Sequence, residues 1–541
     1  MKKRRHIETF LVFTTLFLGY FFFNDVIGPR AEEPRRAIVG IEAILGDNIL
    51  VPTINGEAYY NKPPIFNWIL GISFLVFDSF GTEALRFPGV LSLWLIAGIL
   101  VFLVRRSHGA QAGLFSGLIF LTLGDLFFYG SINAGEIDLF YALITFIQII
   151  SIFWFGEKKK WIWLFVSSYL LTSIGLLTKG LPSLAFQAFT LIAYFISVGR
   201  FKYLLTLKHF LGILLMLVTV GSYFKLYSRY DDASAFMVNL WSESSSKSAN
   251  EGSAGSIIKA LYSFPLQLIQ ITLPWSIFLI WWKELRKSKS TLVTFSFVFF
   301  ASNIWLYWIS PDLRNRYLYT FFPFIAIILG VIVSNLSKRD LFNRITSRVS
   351  GAISILVGLT MLVIPLTSIL TDHSLPKVSF SIFGMLFLGL GFYQLKTLGA
   401  GVIHLLLVLS SLRLAYNFCI LPIQAEKSKA KYYSDQMDRV LDITEGDQVY
   451  WTGGAYKFYP EISLAGKTIV VDSIQTPPLL AYQIPYYYSV KTGERFLYEE
   501  SPCNGNWYIS QENFALSLKG RIHFTFEDKW TQKNLVLYTI D

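Results

Sequence analysis

Apolar runs, many of them about the length that crosses a bilayer, alternate along this chain with short clusters of basic residues. A helical span needs roughly 20 predominantly apolar residues. Runs of this kind lie at 10–23, 88–104, 110–129, 137–155, 161–177, 181–198, 204–224, 264–282, 291–309, 317–336, 350–370, 379–395 and 399–422, predicting about 13 transmembrane helices. Two regions interrupt the rhythm. One is the long stretch 25–87; the other is a polar tail from about residue 425. The tail alternates strand-like runs (Gln448-Val-Tyr-Trp, Thr468-Ile-Val-Val) with turn signals such as Gly453-Gly454, and has a helical pattern near 431–443. That predicts a small α/β domain. The expected organisation is a membrane domain over 1–425 and a soluble domain over 426–541. Residues 426–433 read as a linker, and the Ser- and Gly-rich stretch 242–256 as a mobile loop.

Composition supports lipid as the main solvent. Of the 541 residues, 53% are hydrophobic and only 15% charged, against about 25% charged in soluble domains. The net charge of +11 is spread through short loops, which sets topology rather than forming a nucleic-acid surface. The two cysteines, Cys419 in an apolar run and Cys503 in the tail, offer neither a disulfide framework nor a Cys-based metal site. Met1-Lys-Lys-Arg-Arg-His6 precedes the first run and no small-residue cleavage site follows it, so that run reads as an uncleaved helix with a cytoplasmic N-terminus. Alternation then puts Arg105-Arg106, Lys158-Lys159-Lys160, the basic residues of 200–208, 283–289 and 338–348, and Lys396 on the inner side. An odd span count leaves the C-terminal domain outside.

Exceptions to that charge rule locate the chemistry. Arg30, Arg35, Arg36, Lys62, Arg86, Lys179, Arg314 and Arg316 fall on the outer side, with Glu32, Glu33, Asp125, Glu136 and Asp138. Ionisable groups inside spans cost at least a few kcal/mol unless they pair or line a cavity. Their common depth predicts one polar cavity opening outward; the bland alternative is helix-end charges snorkelling to headgroups. In the loop 25–87, Glu32-Glu33-Pro34 suits a helix N-terminus, and Ile38, Ile41 and Leu45 make an apolar stripe before Gly46-Asp47. This predicts an amphipathic helix on the membrane surface. Tyr59-Tyr-Asn-Lys62-Pro-Pro64 then places a lysine at the interface, suited to a phosphate headgroup or simply a solvated turn.

These motifs resemble one another's neighbours in a known family. Glu32-Glu-Pro-Arg-Arg-Ala37, Gly46-Asp47 with Pro52, Asn55-Gly56 and Tyr59-Tyr-Asn-Lys-Pro-Pro64, then Trp68 and Arg86-Phe-Pro88, keep the order found in the ArnT-like membrane glycosyltransferases. That family has the C-type (GT-C) glycosyltransferase fold and is related to protein O-mannosyltransferases. Asp138-Leu, Leu177-Thr-Lys-Gly180, Leu273-Pro-Trp275, and Ser310 with Arg316-Tyr-Leu and Pro323 continue the series across about 300 residues. The chain departs from the pattern at Glu32, where the family usually has Asp, at Arg36 for Tyr, and at Asn61 for an acid.

The resemblance implies a sugar transferred from a polyprenyl-phosphate donor, as in undecaprenyl phosphate, by inverting displacement at the outer face of a bacterial cytoplasmic membrane. The acceptor stays open between lipid A, another glycolipid, a glycan and protein Ser/Thr; no nucleic acid is involved. Glu32 is the candidate base, with Glu33 and Asp138 as supporting or alternative carboxylates, and Lys62, Arg316 and Tyr317 are the candidates for the donor phosphate. No metal ligands are assigned, and a divalent cation as cofactor is left open. The alternative of another class is a transporter or flippase of lipid-linked sugars, which would show repeated halves; a third is a binding module on a membrane anchor.

Overall fold

The computed structural model describes residues 2–128, 133–246, 254–287, 290–308, 314–367, 374–453, 462–464, 467–469 and 481–540. Ser310, Gly454, Val470, Val471 and residues 247–253 lie outside them.

The helices follow the hydropathy pattern closely. They are α1 (Lys2–Phe21), α2 (Glu33–Leu45), α3 (Ile65–Phe77), α4 (Thr82–His108), α5 (Ala110–Leu121), α6 (Gly124–Phe128), α7 (Ile137–Glu157), α8 (Trp161–Lys179), α9 (Pro182–Ser197), α10 (Leu207–Tyr227), α11 (Ala233–Ser246) and α12 (Ala254–Ile271). After a 3-10 helix at Trp275–Lys287 come α13 (Thr291–Asn303), α14 (Trp305–Trp308), a 3-10 turn at Asn315–Thr320, α15 (Phe322–Leu336), α16 (Asp340–Val363), α17 (Ser374–Lys396) and α18 (Gly401–Cys419). Among the described residues, eight helices are long and apolar enough to cross a membrane, or nine if one bent pair counts as a span. Four shorter apolar helices, Ile65–Phe77, Ala110–Leu121, Pro182–Ser197 and Phe322–Leu336, accompany them.

The differences have local causes. The run 264–282 is not one helix: Lys259–Ile271 and Trp275–Leu285 meet at 100°. Pro274 has no N–H to continue the ladder, and the indole Nε1 of Trp275 donates to Thr122 Oγ1 at 2.9 Å, tying the bend to the end of α5. The run 110–129 breaks after Leu121, where the Thr122 hydroxyl bonds back to the Leu118 carbonyl at 2.7 Å. The α15 run begins as a 3-10 turn. Non-helical backbone at membrane depth survives only where protein or a polar cavity covers it, so these breaks mark one end of the bundle as special. The stretch 242–256 is helical on both sides of 247–253 rather than a loop throughout.

The opposite end carries the chain's start. Arg4 and Arg5 donate to the carbonyls of Thr397 (2.6 Å) and Gly399 (3.0 Å), so the N-terminus and the turn after α17 share a face.

Past α18, the short α19 (Leu421–Glu426) leads to α20 (Lys429–Thr444), whose N-cap Ser428 accepts from the Lys431 N–H. The linker expected over 426–433 thus shrinks to residues 427–428. A four-stranded sheet follows, made with β3 (Val449–Trp451), β6 (Trp507–Gln511), β7 (Arg521–Asp528) and β8 (Lys533–Thr539) in the order β3-β6-β8-β7. Only β3 and β6 run parallel. A separate hairpin pairs β4 (Ile462–Leu464) with β5 (Lys467–Ile469). The helices α20 and α21 (Gln483–Thr492) cover one face of the sheet, burying Tyr433, Met437, Ile484 and Tyr488 with Trp451 and Leu537; α22 (Glu512–Ser517) packs Ala515 against Tyr508, Val536 and Tyr538 on the other face.

This domain sits on the end of the bundle opposite the N-terminus. The hairpin β1 (Thr53–Ile54) and β2 (Glu57–Ala58) turns through Asn55-Gly56, both at positive φ, as a two-residue hairpin favours. Its Asn55 carbonyl accepts from the Tyr498 N–H at 2.9 Å. Behind that seam, Glu42 of α2 is buried and accepts the N–H groups of Asn55 (2.5 Å) and Gly56 (3.2 Å). Burial pushes its carboxyl up to about 7, against the pull of the Thr53 hydroxyl, the Gly56 and Asn55 amides, and Arg495. An ordinary unfolded Glu titrates near ~4.3. The folded state therefore holds the proton more tightly, and this stability is full below about pH 4.3 and lost as pH rises through 7. Hydrogen exchange of residues 53–58, corrected for intrinsic rate, should show weaker protection at about pH 8 than at about pH 5. Equal protection at both would mean that Glu42 does not titrate there.

Candidate active site

Two adjacent carboxylates at the start of α2 meet different fates. Glu33 is fully buried, its side chain 1% exposed. Arg86 of α4 grips it with two bonds, Nε to Oε1 at 2.8 Å and Nη2 to Oε2 at 3.0 Å. The Gly135 N–H adds a bond to Oε1 at 2.7 Å and the Arg30 N–H one to Oε2 at 3.0 Å. Two carboxylate oxygens offer about four lone-pair sites, and all four are taken. Arg86 turns its remaining donor toward the carbonyls of Asn24 and Ile27. Asn24 in turn accepts from Asn133 at 2.9 Å, and Asn133 is held by the buried Arg413 of α18. Glu33 is thus the pin that fixes α2 to α1, α4 and the segment before α7.

Glu32, one residue earlier, faces the open side. Its side chain is 30% exposed and pairs with Arg35 one turn on. Because Pro34 and the buried Ile38 and Ile41 anchor the helix, the height of Glu32 is set by the same packing that buries Glu33. Gly40 allows this: a Cβ there would lie 2.9 Å from Leu70 Cβ, so α2 and α3 touch closely at that point.

A second charged group sits at the start of α7. Asp138, nearly buried, pairs through Oδ1 with Lys179 at the end of α8 and reaches Arg316 Nε at 3.5 Å. Arg316 also pairs with Glu136 at 2.7 Å. The Lys179 ammonium lies over two rings, Tyr317 at 4.8 Å and Tyr141 at 4.9 Å from their centroids. The 3-10 turn bearing Arg316 and Tyr317 is clamped by Asp125, which accepts from Asn315 at 2.9 Å and Tyr319 at 2.7 Å. Burial and the nearby Asp138 raise the Glu136 carboxyl above its ordinary range, while Arg316 and Arg36 pull it down. Arg36 is buried and donates to the Tyr59 hydroxyl at 3.4 Å.

Lys62 is buried in the turn before α3. Leu177 near the end of α8 packs in one cluster with Tyr60 and Ile65, which brings the turn to the end of α8 that carries Lys179. With Glu33 and Arg86 closed on each other, Arg35, Arg36, Lys62, Lys179 and Arg316 outnumber Glu32, Glu136 and Asp138. The excess of positive charge among these largely buried groups suits an anion, because screening is weak away from bulk solvent.

Of the residues singled out from sequence, Asp138, Arg316 and Tyr317 come together, and Glu32 and Lys62 border them through α2 and α8. Glu33 goes elsewhere: its two oxygens are engaged by Arg86, the Gly135 N–H and the Arg30 N–H, an arrangement that anchors the start of α2. Sequence reasoning missed the aromatic wall. Tyr59 and Tyr482, the latter from the C-terminal domain, flank Arg35 with its guanidinium carbon 5.7 Å from each ring centroid. The density of tyrosines at 482 and 486–488 was the available signal.

Comparison with known proteins fits this geometry. The family model described as dolichyl-phosphate-mannose-protein mannosyltransferase matches residues 61–223. An uncharacterised protein of Aquifex aeolicus (strain VF5) is 26% identical over 348 residues, 62% of this chain and 65% of that protein. An undecaprenyl phosphate-alpha-4-amino-4-deoxy-L-arabinose arabinosyl transferase 2 of Proteus mirabilis (strain HI4320) is 27% identical over 34% of this chain and 33% of its own length. The chain therefore spans about a third of that transferase and just under two thirds of the Aquifex protein. The crystal structure of ArnT from Cupriavidus metallidurans bound to undecaprenyl phosphate superposes with a TM-score of 0.68 at 16% identity, covering 98% of this chain and 97% of that one. Its apo form gives 0.64. At that identity the likeness establishes the fold.

Proposed function

We propose that this chain, an ArnT-like membrane protein with the C-type glycosyltransferase fold, transfers a sugar from a polyprenyl phosphate to a hydroxyl acceptor at the outer face of the bacterial cytoplasmic membrane. One observation carries the reading. An accessible carboxylate, Glu32, and a cationic cluster, Lys179 with Arg316, share the end of the bundle that bears the C-terminal domain. The N-terminal arginines lie at the other end, which the positive-inside rule makes cytoplasmic. The relatives named for undecaprenyl phosphate aminoarabinose transfer support a donor of this class. A lipid acceptor such as lipid A is the first to test, ahead of glycans and protein.

The chemistry needs few parts. The acceptor oxygen attacks the anomeric carbon from the face opposite the phosphate, the C–O bond to phosphate breaks, and its electron pair leaves on the phosphate oxygen with inversion at carbon. Glu32 takes the acceptor's proton. Lys62, Lys179 and Arg316, with the Tyr317 hydroxyl, stabilise the charge gathering on the phosphate. Asp138 orients Lys179 and Arg316 rather than moving a proton, since both its oxygens face cations.

The test is transfer itself, in sealed right-side-out vesicles supplied with a polyprenyl-phosphate sugar and read by mass spectrometry of envelope lipids, glycans and proteins. Sugar should appear on an acceptor exposed outside. Lys62→Ala and Arg316→Ala should each weaken donor binding about 10-fold or more, as loss of a charged hydrogen bond implies, and Lys62→Glu should nearly abolish it. Unchanged donor affinity in both Ala variants would remove these residues from the phosphate. Movement of the donor across the membrane without transfer would point to a carrier instead.

A further inference from the structure

Arg35 connects the proposed base to the C-terminal domain, and the connection is built rather than incidental. Its guanidinium pairs with Glu32 and lies near two rings, Tyr59 of its own loop and Tyr482, each with the centroid 5.7 Å away. Tyr482 precedes α21 and is wedged between two cores. One is the domain's own, around Trp451 and Leu537; the other is that of α2 and α3, around Ile38 and Phe74.

The next turn of α21 secures the seat. The Tyr486 hydroxyl donates to the Phe80 carbonyl at 3.2 Å, and the Tyr487 hydroxyl occupies the space a side chain at Gly28 would need. The start of α21 is thereby tied to the turn before α4 and to the segment before α2. Burial pushes the Tyr482 hydroxyl up to about 12, so the ring stays neutral and keeps the electron-rich face that attracts a guanidinium.

Resting on the reading of Glu32 as base, we infer that Tyr482 is a positioning residue for the transfer reaction: the C-terminal domain sets the direction of the Glu32 carboxylate by holding Arg35 against an aromatic ring. Tyr482 acts through Arg35, whose guanidinium lies against its ring. A carboxylate free to swing spends less time aimed at the acceptor hydroxyl, and small misplacements of a base lower turnover rather than binding. Tyr59 supplies the second ring from the loop itself, so loss of Tyr482 weakens the aim without abolishing it.

The experiment uses the full chain in lipid nanodiscs with a polyprenyl-phosphate sugar donor and an acceptor that supports transfer. Tyr482→Leu should lower kcat about 10-fold, with donor KM changed less than about 2-fold. A tenfold change corresponds to about 1.4 kcal/mol, within reach of a desolvated cation–π contact. Tyr482→Phe, which keeps the ring, should restore kcat to near the original value. In a Glu32→Gln background the Tyr482→Leu change should have almost no further effect, because there is no base left to aim. A merely structural role would give the same factor in both backgrounds and no rescue by Phe, and either result overturns the inference. Should Leu destabilise the domain, Tyr482→His, which keeps a flat ring, provides the comparison at matched unfolding temperature. Absence of transfer by the unmodified chain would overturn the functional reading itself, and the inference with it; transfer with normal kcat in Tyr482→Leu would overturn the inference alone.

Discussion

Glu32→Gln is expected to lower turnover by about 10²–10⁴, the usual cost of removing a general base, while donor affinity stays within about twofold. The substitution keeps the shape and the link to Arg35 through the amide oxygen, so fold and membrane insertion should survive. Glu32→Asp should keep part of the activity: the carboxylate persists but reaches less far. The informative comparison is with Asp138→Asn. That change unpairs Lys179 and weakens the hold on Arg316, so its effect should appear mainly as a raised KM for the donor. Steady-state kinetics on purified variants of matched thermal stability separates the two. Near-normal turnover in Glu32→Gln with a collapse of kcat in Asp138→Asn would place the base on Asp138.

Glu33→Ala or Arg86→Ala should damage the protein itself. Each leaves its partner as a buried, uncompensated charge, at a cost of about 3–5 kcal/mol. Arg86 has a further loss, because it also donates to the carbonyls of Asn24 and Ile27, which would lose that donor. The expected result is low yield and a clearly reduced unfolding temperature in detergent. The paired change Glu33→Leu with Arg86→Met should recover the share due to an unpaired buried charge. It should not recover the share due to the Asn24 and Ile27 carbonyls and the Gly135 and Arg30 N–H groups, which lose these partners in the double variant too. Unfolding followed by tryptophan fluorescence would measure this. If Glu33→Gln folded with an unchanged unfolding temperature and lost turnover instead, the carboxylate would be chemical rather than structural.

Much of the architecture was legible because it depends on local, additive properties. Transfer of apolar helix from water to lipid scales with the residues present, so nearly every long run became a helix. The Asn55-Gly56 turn and the start of α2 at Glu32–Pro34 likewise follow from backbone preferences at single positions. The charges on the unexpected side gather in ion pairs near the end of the bundle that carries the C-terminal domain, since a buried ion must find a partner wherever it lies.

What sequence could not assign is which partner each charge finds. Glu32 and Glu33 are the same residue type in adjacent positions, yet one faces open space and the other is enclosed by Arg86 and the Gly135 amide. Helix rotation and the approach of α4 and α7 decide that difference, and neither is encoded in spacing. The bend between Ile271 and Trp275 was hidden for a related reason. Apolarity favoured a straight span over 264–282, while the anchor that stabilises the bend, Thr122 on Trp275, comes from another helix. Tyr482 reaches Arg35 from the far end of the chain only because α21 docks on α2. Hydropathy and turn chemistry act over a few residues and so belong to the sequence alone. Ion pairing and ring contact act through space, between segments that only the packed fold brings together.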